Sequence, residues 1–481
     1  VVIGLEVHAQ VSSKSKLFSG SAVDGTDGAN TRVNFVDAGM PGMLPVVNSY
    51  CIDQAIKTGL GIRGQINKLS VFDRKNYFYP DLPTGYQISQ FYYPIISGGY
   101  LDVQVQGETS RINITRIHLE QDAAKNIHDL DPTRSYVDLN RVGVALMEIV
   151  SEPDMRSVEQ AVVFAKKLHV LVQYLGTCDG NMEKGNFRID ANVSVHKPGT
   201  PLGTRVEIKN LNSFKFMQSA LMYEIERQIN VIDDGGRVVQ ETRLYDPIQG
   251  ITATMRDKED ADDYRYFADP DLPPLVLSDE RIGKIRAQMP ELPDDKKARF
   301  MEEFGLSEYD AELLSSDRLL GQYYDEAINT DVFTDKRAAY KLVANWIIVE
   351  LFAAMKERSI EIDDLELRPK KIAHLVALIQ DGTISGKIAK VVFEHMLNNQ
   401  QDEPRDIVER MGMRQISDEG AIDAAIAEIL AQNAGLVEEY RGGKASVFGF
   451  FVGQIMKHFN GQANPEMVNT LLRRQLDRGA G

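Results

Sequence analysis

As far as about Leu275, short stretches of alternating polar and apolar residues dominate the chain, broken by Gly- and Pro-rich turns. Alternation puts successive side chains on opposite faces of a half-buried strand, so this region predicts a sheet. In "VIGLEVHAQ" it places Ile3, Leu5, Val7 and Ala9 on one face and Glu6, His8 and Gln10 on the other. Two long helical patterns interrupt the strands. One begins at Ser157 with Gln160 three residues later, a capping-box spacing, and ends at Gly176. The other covers roughly Ser213 to Ile232. From about Pro290 apolar residues recur at three and four, as in "AAYKLVANWIIVELFAAM", and the pattern becomes helical. The polar break "LNNQQDEPRD" then sets off a last helical unit, in which Asn464 is the expected N-cap and Pro465 the first helical residue. The expected fold class is α+β: a large mixed or antiparallel sheet domain over 1–289, a helical connector over 290–402 and a small helical tail over 403–481.

Length agrees with several domains, since single cores rarely exceed about 250–300 residues and this chain has 481. No uninterrupted apolar run reaches the roughly 18 residues that cross a bilayer, and the chain opens inside a strand pattern without a leader-like segment, although Val1 leaves open what precedes it. Cys51 and Cys178 are the only cysteines, too few for a disulfide framework. A cytoplasmic setting without membrane contact is the expectation. The formal net charge of −16 repels nucleic acid on average. The segment from Arg441 onward departs from that average: Arg441, Lys444, Lys457, Arg473, Arg474 and Arg478 against Glu466 and Asp477 give 6 − 2 = +4. Such a surface can face phosphate or simply water.

Familiar catalytic signatures are mostly missing. Neither a GxxxxGK[ST] loop nor HExxH occurs, and the GxGxxG at Gly59, Gly61 and Gly64 follows a helical pattern instead of a strand, which reads as a helix stop. "RGGK" at Arg441–Lys444 reads as a turn between helices. Cys51 and Cys178 lie outside any His-bearing nucleophile pattern and read as buried structural thiols. With no GxSxG elbow and no Gly/Ser-rich amidase stretch, the chain lacks the apparatus to release ammonia itself. Acidic residues on strand faces remain. Alternation pairs His118 with Glu120 in "IHLEQDA", aligns Arg188, Asp190 and Asn192 in "FRIDANVSVH", and groups Arg205, Glu207 and Lys209 in "TRVEIKN". These carboxylates suit a hard cation such as Mg²⁺ if their strands converge, and equally suit a solvated sheet face.

Longer blocks are more specific. "VIGLEVHAQ", "MPGMLPVVN", "DRKNYFYPDLPTGYQISQ", "ITRIHLEQDA", "VDLNRVGVALMEIVSEPDMRS", "GNFRIDANVSV", "EIKNLNSF" and "DYRYFADPDLPPL", in this order, closely resemble the GatB/GatE family, the B subunits of glutamyl/aspartyl-tRNA amidotransferases. The segment from "YRGGK" through "NPEMVNTLLRRQL" resembles the YqeY-type helical domain that ends those subunits, and the absence of a large insert before it favours the bacterial type. The resemblance implies an ATP- and Mg²⁺-dependent ligase. A Glu or Asp side chain misacylated on tRNA(Gln) or tRNA(Asn) would be phosphorylated by ATP, then amidated by ammonia from an amidase-type glutaminase, the A subunit, which is clamped with the small C subunit in a heterotrimer. By motif match it implies Glu6, His8, Glu120, Asp190 and Glu207 as metal ligands, with Glu6, His8, Glu120 and Lys75 in the catalytic machinery. A tRNA-binding role for the tail follows from the same resemblance. Many relatives carry two cysteine pairs spaced as a zinc site. Here the matching positions are Ser19, Ser21, Asn34 and Asp37, so no structural zinc is expected. Thr84 stands where some relatives have Lys. Two other functions fit the bare residues: a non-catalytic tRNA-binding scaffold and a free-standing amide ligase for small carboxylates.

Overall fold

The computed structural model describes residues 1–25, 28–127, 130–131, 133–257, 261–399 and 401–477, so Arg478 of the basic segment lies outside the described residues. The chain divides into two compact units, Val1–Leu292 and Pro293–Gly481.

A ten-stranded sheet organises the first unit. Its path runs from the edge strand Ile251–Asp257 through Glu241–Asp246, Val206–Leu211, Phe187–Ser194, Val2–Gln10, Ala145–Ser151 and Glu108–Gln121 to the short Ile96–Ser97 and Gln65–Ile66, with Tyr100–Val105 also paired to Glu108–Gln121. Every pairing is antiparallel except Val206–Leu211 with Glu241–Asp246, so the sheet is mixed and the fold α+β as expected. The Val2–Gln10 strand sits near the middle. Its apolar face is covered by helices. Ile3, Leu5, Val7 and Ala9 share one buried core with Cys51, Ile52 and Ile56 of the Ser49–Gly61 helix, Phe164 and Leu168 of the Val158–Leu175 helix, and Met217 and Leu221 of the Phe214–Asp233 helix. Full burial of each such Leu, Ile or Phe stabilises by about 1.5–3 kcal/mol. With the helices on that face, Glu6, His8 and Gln10 are left to the other.

Local signals place these helices. Ser157 accepts a hydrogen bond from the Gln160 amide, and Gly176 closes the helix in the left-handed region at φ 68°. The reciprocal half of the capping box shifts by one residue, because Gln160 Oε1 accepts from the Arg156 amide at 2.7 Å. Ser213 caps the next helix through the Phe216 amide. Gly59 and Gly61 end the Ser49–Gly61 helix, and there is a packing reason for them as well: a Cβ on Gly59 would meet Ile96 at 2.4 Å and one on Gly61 would meet Leu175 at 2.7 Å. Cys51 and Cys178 are buried, and burial pushes their thiols up to about 11 and about 12.

The second unit is helical and holds two apolar clusters, one built around Phe300, Tyr324, Ile347, Ile372 and Val392, the other around Ile426, Phe451, Val468 and Leu472. Pro369, Pro404 and Pro465 each open a helix, where the missing N–H has no intrahelical partner to lose. Asn464 Oδ1 accepts from the Glu466 and Met467 amides, as its N-cap assignment expects. The run Lys336–Arg358 is long and apolar enough to cross a bilayer although Lys341 and Glu350 interrupt it. Ala339, Val343, Ile347, Leu351 and Ala354 from this run are buried in the first of the two clusters. Its centre, Trp346–Leu351, is π-helical, a widening that the period of the sequence does not announce.

Candidate active site

Cross-strand register assembles the polar face. The Val2–Gln10 strand pairs His8 with Glu148 on one side and with Arg188 on the other, and Glu148 in turn pairs with His118. Residues directly opposite in an antiparallel pair project to the same side with Cβ atoms about 4.5–5.5 Å apart. Four strands therefore contribute one row: His118, Glu148, His8, Arg188. Glu120 enters from the next row, two residues beyond His118.

The side chains converge. His8 Nε2 lies 3.6 Å from Glu120 Oε1 and 3.5 Å from Glu148 Oε2, while His118 Nε2 lies 3.2 Å from Glu148 Oε2 and 3.7 Å from Glu120 Oε2. Ser89 Oγ donates to Glu120 Oε2 at 3.4 Å. His8, Glu120 and Glu148 offer one ligand atom each, all within 4.8 Å of one another. Burial works against charge on both imidazoles, yet the neighbouring carboxylates prevail. His8 is raised above its ordinary value by Glu148, with Glu120 and Asp190 adding, and His118 is pushed up to about 9 by Glu148 and Glu120. Burial likewise opposes charge on Glu148, but His118 and His8 hold it well below the usual carboxylate range.

The other predicted ligands gather on a different partner. Glu6 pairs in register with Asp190, and Asn192 with Glu207. Lys209 Nζ donates to Asp190 Oδ2 at 2.6 Å and lies 3.3 Å from Glu207 Oε1, and Glu207 Oε2 accepts from Thr242 Oγ1 at 2.8 Å. Glu6 Oε1 accepts from Asn192 Nδ2 at 2.8 Å. Burial disfavours the Lys209 ammonium, but Asp190, Glu207 and Glu6 raise it. The five predicted ligands thus divide: His8 and Glu120 join Glu148, whereas Glu6, Asp190 and Glu207 surround Lys209.

Lys75 stands on a separate small sheet, opposite Gln87 in the pairing of Asp73–Asn76 with Tyr86–Ser89. Its Nζ sits 4.5 Å from the ring centre of Tyr264 and 5.6 Å from that of Tyr77. Gln87 and Ser89, on the face that Lys75 shares, reach the Gln121 carbonyl and Glu120. Burial, with the Glu120 charge adding, raises the phenols of Tyr77 and Tyr266. Thr84 is exposed and donates to the Tyr86 carbonyl.

Glu148 was absent from the sequence-derived set, His118 entered it only as a strand neighbour, and Lys209 only as part of a polar face. The available signal was one carboxylate in the otherwise largely apolar strand "ALMEIVS".

The family described as "GatB/GatE catalytic domain" matches residues 1–283, which include every residue of this face, and the family described as "GatB domain", the YqeY-bearing type, matches 330–476. The chain belongs to the GatB/GatE family. Within it, the chain is 52% identical over 477 residues to the B subunit of the aspartyl/glutamyl-tRNA(Asn/Gln) amidotransferase of Hydrogenovibrio crunogenus, covering 99% of both chains. It is 53% identical over 476 residues to the protein of the same name in Rickettsia bellii, covering 99% of this chain and 97% of that one. The match runs through both units.

Proposed function

We propose that this chain is the B subunit of a tRNA-dependent amidotransferase and carries its phosphorylation and amidation site. It would act on Glu or Asp misacylated to tRNA(Gln) or tRNA(Asn), with ATP as phosphoryl donor. The observation that carries this reading is the convergence of His8, Glu120 and Glu148 within 4.8 Å, on the sheet face opposite the helices.

The donor set fits a hard divalent cation. Two carboxylates and an imidazole, set on three adjacent strands and mostly buried, suit Mg²⁺ or a similar ion better than a soft metal. His8, Glu120 and Glu148 would hold it, and Glu6, Asp190 and Glu207 would bear on it from the Lys209 cluster. When bound, Mg²⁺ supplies charge neutralisation to a transferring phosphoryl group.

The protein's own residues supply the rest. A carboxylate is a poor electrophile until phosphorylated, and that step requires positioning and positive charge more than a protein nucleophile. Lys209 neutralises the second acidic group without competing for phosphate, being already bound to carboxylates. Burial of Glu120 limits water at a site where an acyl phosphate would hydrolyse. Lys75, held against Tyr264, sits where charge can act on incoming ammonia or phosphate. Ammonia would come from a glutaminase of the amidase type, the A subunit, held with the small C subunit, and the helical segment 403–481 would bind tRNA. Such a complex would work in the cytoplasm.

The test is ATP turnover by the chain assembled with its amidase and small subunits, with and without Glu-tRNA(Gln), in wild type and Glu120→Ala, while glutaminase activity is followed. Turnover that needs misacylated tRNA and collapses in the variant, with glutaminase intact, supports the reading. Unchanged turnover in Glu120→Ala would return the chain to a scaffold role, and activity without tRNA would make it a free-standing ligase.

A further inference from the structure

Among the described residues, the buried side-chain nitrogens without a hydrogen-bond partner are Arg32 Nε, Arg141 Nη2 and Arg188 Nε. All three arginines line a single cavity of 560 Å³. Buried donors are nearly always satisfied in native proteins, and an orphaned one on a charged group is especially unfavourable. Three such donors at one cavity, on side chains of which Arg141 and Arg188 are 34% and 36% exposed, make it a candidate site for a multidentate anion.

Each guanidinium has one acceptor in place. Arg141 Nε and Arg188 Nη2 both donate to the buried Asp122, and Arg32 Nη1 donates to the Gly25 carbonyl at 2.6 Å. One carboxylate between two guanidiniums, with only a carbonyl on the third, leaves 3 − 1 = +2 in this group. Asp24, Asp138, Asp179 and Glu183 also line the cavity, as do Lys125 and Lys184, so the lining as a whole is 5 − 4 = +1; Asp138 and Asp179 accept from the Asn30, Asn140 and Asn181 amides and from Asn186 Nδ2 and so build its wall. Arg32 is held in place from its backbone: its amide donates to Asn140 Oδ1 at 2.8 Å and its carbonyl accepts from the buried Lys16 at 2.7 Å.

Its position relates it to the acidic centre. Arg188 is the direct cross-strand partner of His8, and Gln10, another lining residue, is two residues from His8 on the same strand. The cavity volume lies within the roughly 300–1,000 Å³ usual for small-molecule sites. We infer that Arg32, Arg141 and Arg188 grip the polyphosphate of the nucleotide and present its terminal phosphoryl group at the His8–Glu120–Glu148 centre. This rests on the ATP-dependent reading above and assigns residues to it that the acidic motifs do not contain. Planar guanidiniums suit the task because each can meet two phosphate oxygens at once.

The experiment uses the assembled complex and measures the Kd for Mg²⁺ with a non-hydrolysable ATP analogue (imido-linked β–γ). Wild type is compared with Arg32→Gln, with Arg188→Lys, which keeps charge but loses the fork, and with Arg32→Lys as the mildest change. Loss of a charged hydrogen bond predicts a Kd raised about 10- to 100-fold in Arg32→Gln, with the nucleotide-free melting temperature and tRNA affinity unchanged. Inorganic tripolyphosphate should displace the analogue from wild type, an arm that needs no variant. If wild type binds the analogue and the arginine variants bind it equally well, or tripolyphosphate fails to compete, the clamp is wrong while the ATP reading stands. Weakened tRNA binding with nucleotide binding intact would assign the pocket to a tRNA phosphate and overturn the proposal. If wild type binds no nucleotide with or without tRNA, the functional reading fails and the clamp with it.

Discussion

Glu148 Oε2 lies 3.5 Å from His8 Nε2 and 3.2 Å from His118 Nε2, so one carboxylate joins imidazoles from the two strands that flank it. Glu148 is held well below the usual carboxylate range by His118 and His8 and so has much to lose by neutralisation. Glu148→Gln keeps the shape and removes the charge. Removing partners of metal ligands typically costs about 10–100-fold in metal affinity, and loss of a ligand should cost at least that. Mg²⁺ titration of tRNA-dependent ATP turnover should show the activation midpoint shifted upward by that factor. An unshifted midpoint would remove Glu148 from the site.

His118 makes the metal-free chain sensitive to pH. Its pKa is raised from 6.5 to about 9 by Glu148 and Glu120 against the opposing effect of burial. A histidine raised on folding contributes stability that is fully present below its unfolded pKa and is lost as the pH rises through the folded value. Melting temperature in the presence of a chelator should therefore decline between pH 6.5 and about 9. Saturating Mg²⁺ should flatten the decline, because the cation takes over the compensation of Glu120 and Glu148. In Glu148→Gln the decline should shrink; a decline of equal size in that variant would place its cause elsewhere.

Lys209 acts as an internal counter-cation for Asp190, Glu207 and Glu6. Lys209→Met removes that charge and leaves the carboxylates of Asp190 and Glu207 without their common partner, although Thr242 still donates to Glu207. Breaking a buried pair costs about 3–5 kcal/mol and an exposed one at most about 1. With Lys209 29% exposed, an intermediate loss of about 2 kcal/mol is expected in denaturant unfolding. Millimolar Mg²⁺ should restore more stability to Lys209→Met than to wild type, since the freed carboxylates then bind the ion. Equal responses to Mg²⁺ would show that the acidic group does not collect cations.

What the sequence announced, and what it withheld, follows from the range of each interaction. Ser157, Gly176, Ser213 and Asn464 act on amides within a few residues, and these helix boundaries were legible. Alternation likewise separated Glu6, His8 and Gln10 from Ile3, Leu5, Val7 and Ala9. Register is different, because it joins residues that are remote in the chain: nothing near His8 says that Glu148 and Arg188 will be its neighbours. Glu148 was further hidden because Leu146, Met147 and Ile149 around it are all buried, so its strand lacks the alternation that exposed the others. Arg32 and Arg141 reach their cavity from loops, where no periodicity marks a side chain's direction. The division of the five expected ligands into two groups depends on Lys209, whose place was visible but whose partners were not.

Lys16, Ser19, Asn34 and Asp37 form an ionic hydrogen-bonded staple. Asp37 Oδ2 accepts from Lys16 Nζ at 3.1 Å and from the Asn34 amide at 3.1 Å, and Asp37 Oδ1 accepts from Ser19 Oγ at 2.8 Å. Lys16 is fully buried and also donates to the Arg32 and Leu139 carbonyls, so the staple reaches the wall of the arginine cavity through Arg32. Burial lowers the pKa of Lys16, with Asp37 opposing. Lys16→Met would strand the Asp37 carboxylate, at a cost of about 3–5 kcal/mol for a buried pair broken on one side. Adding Asp37→Asn should recover part of that loss, because two apolar or neutral partners are tolerated better than one uncompensated charge. Because Arg32 hangs from the same lysine, Lys16→Met should also weaken nucleotide binding, and the double variant should regain stability while leaving that binding impaired. Recovery of both together would mean that Lys16 supports the fold without positioning Arg32.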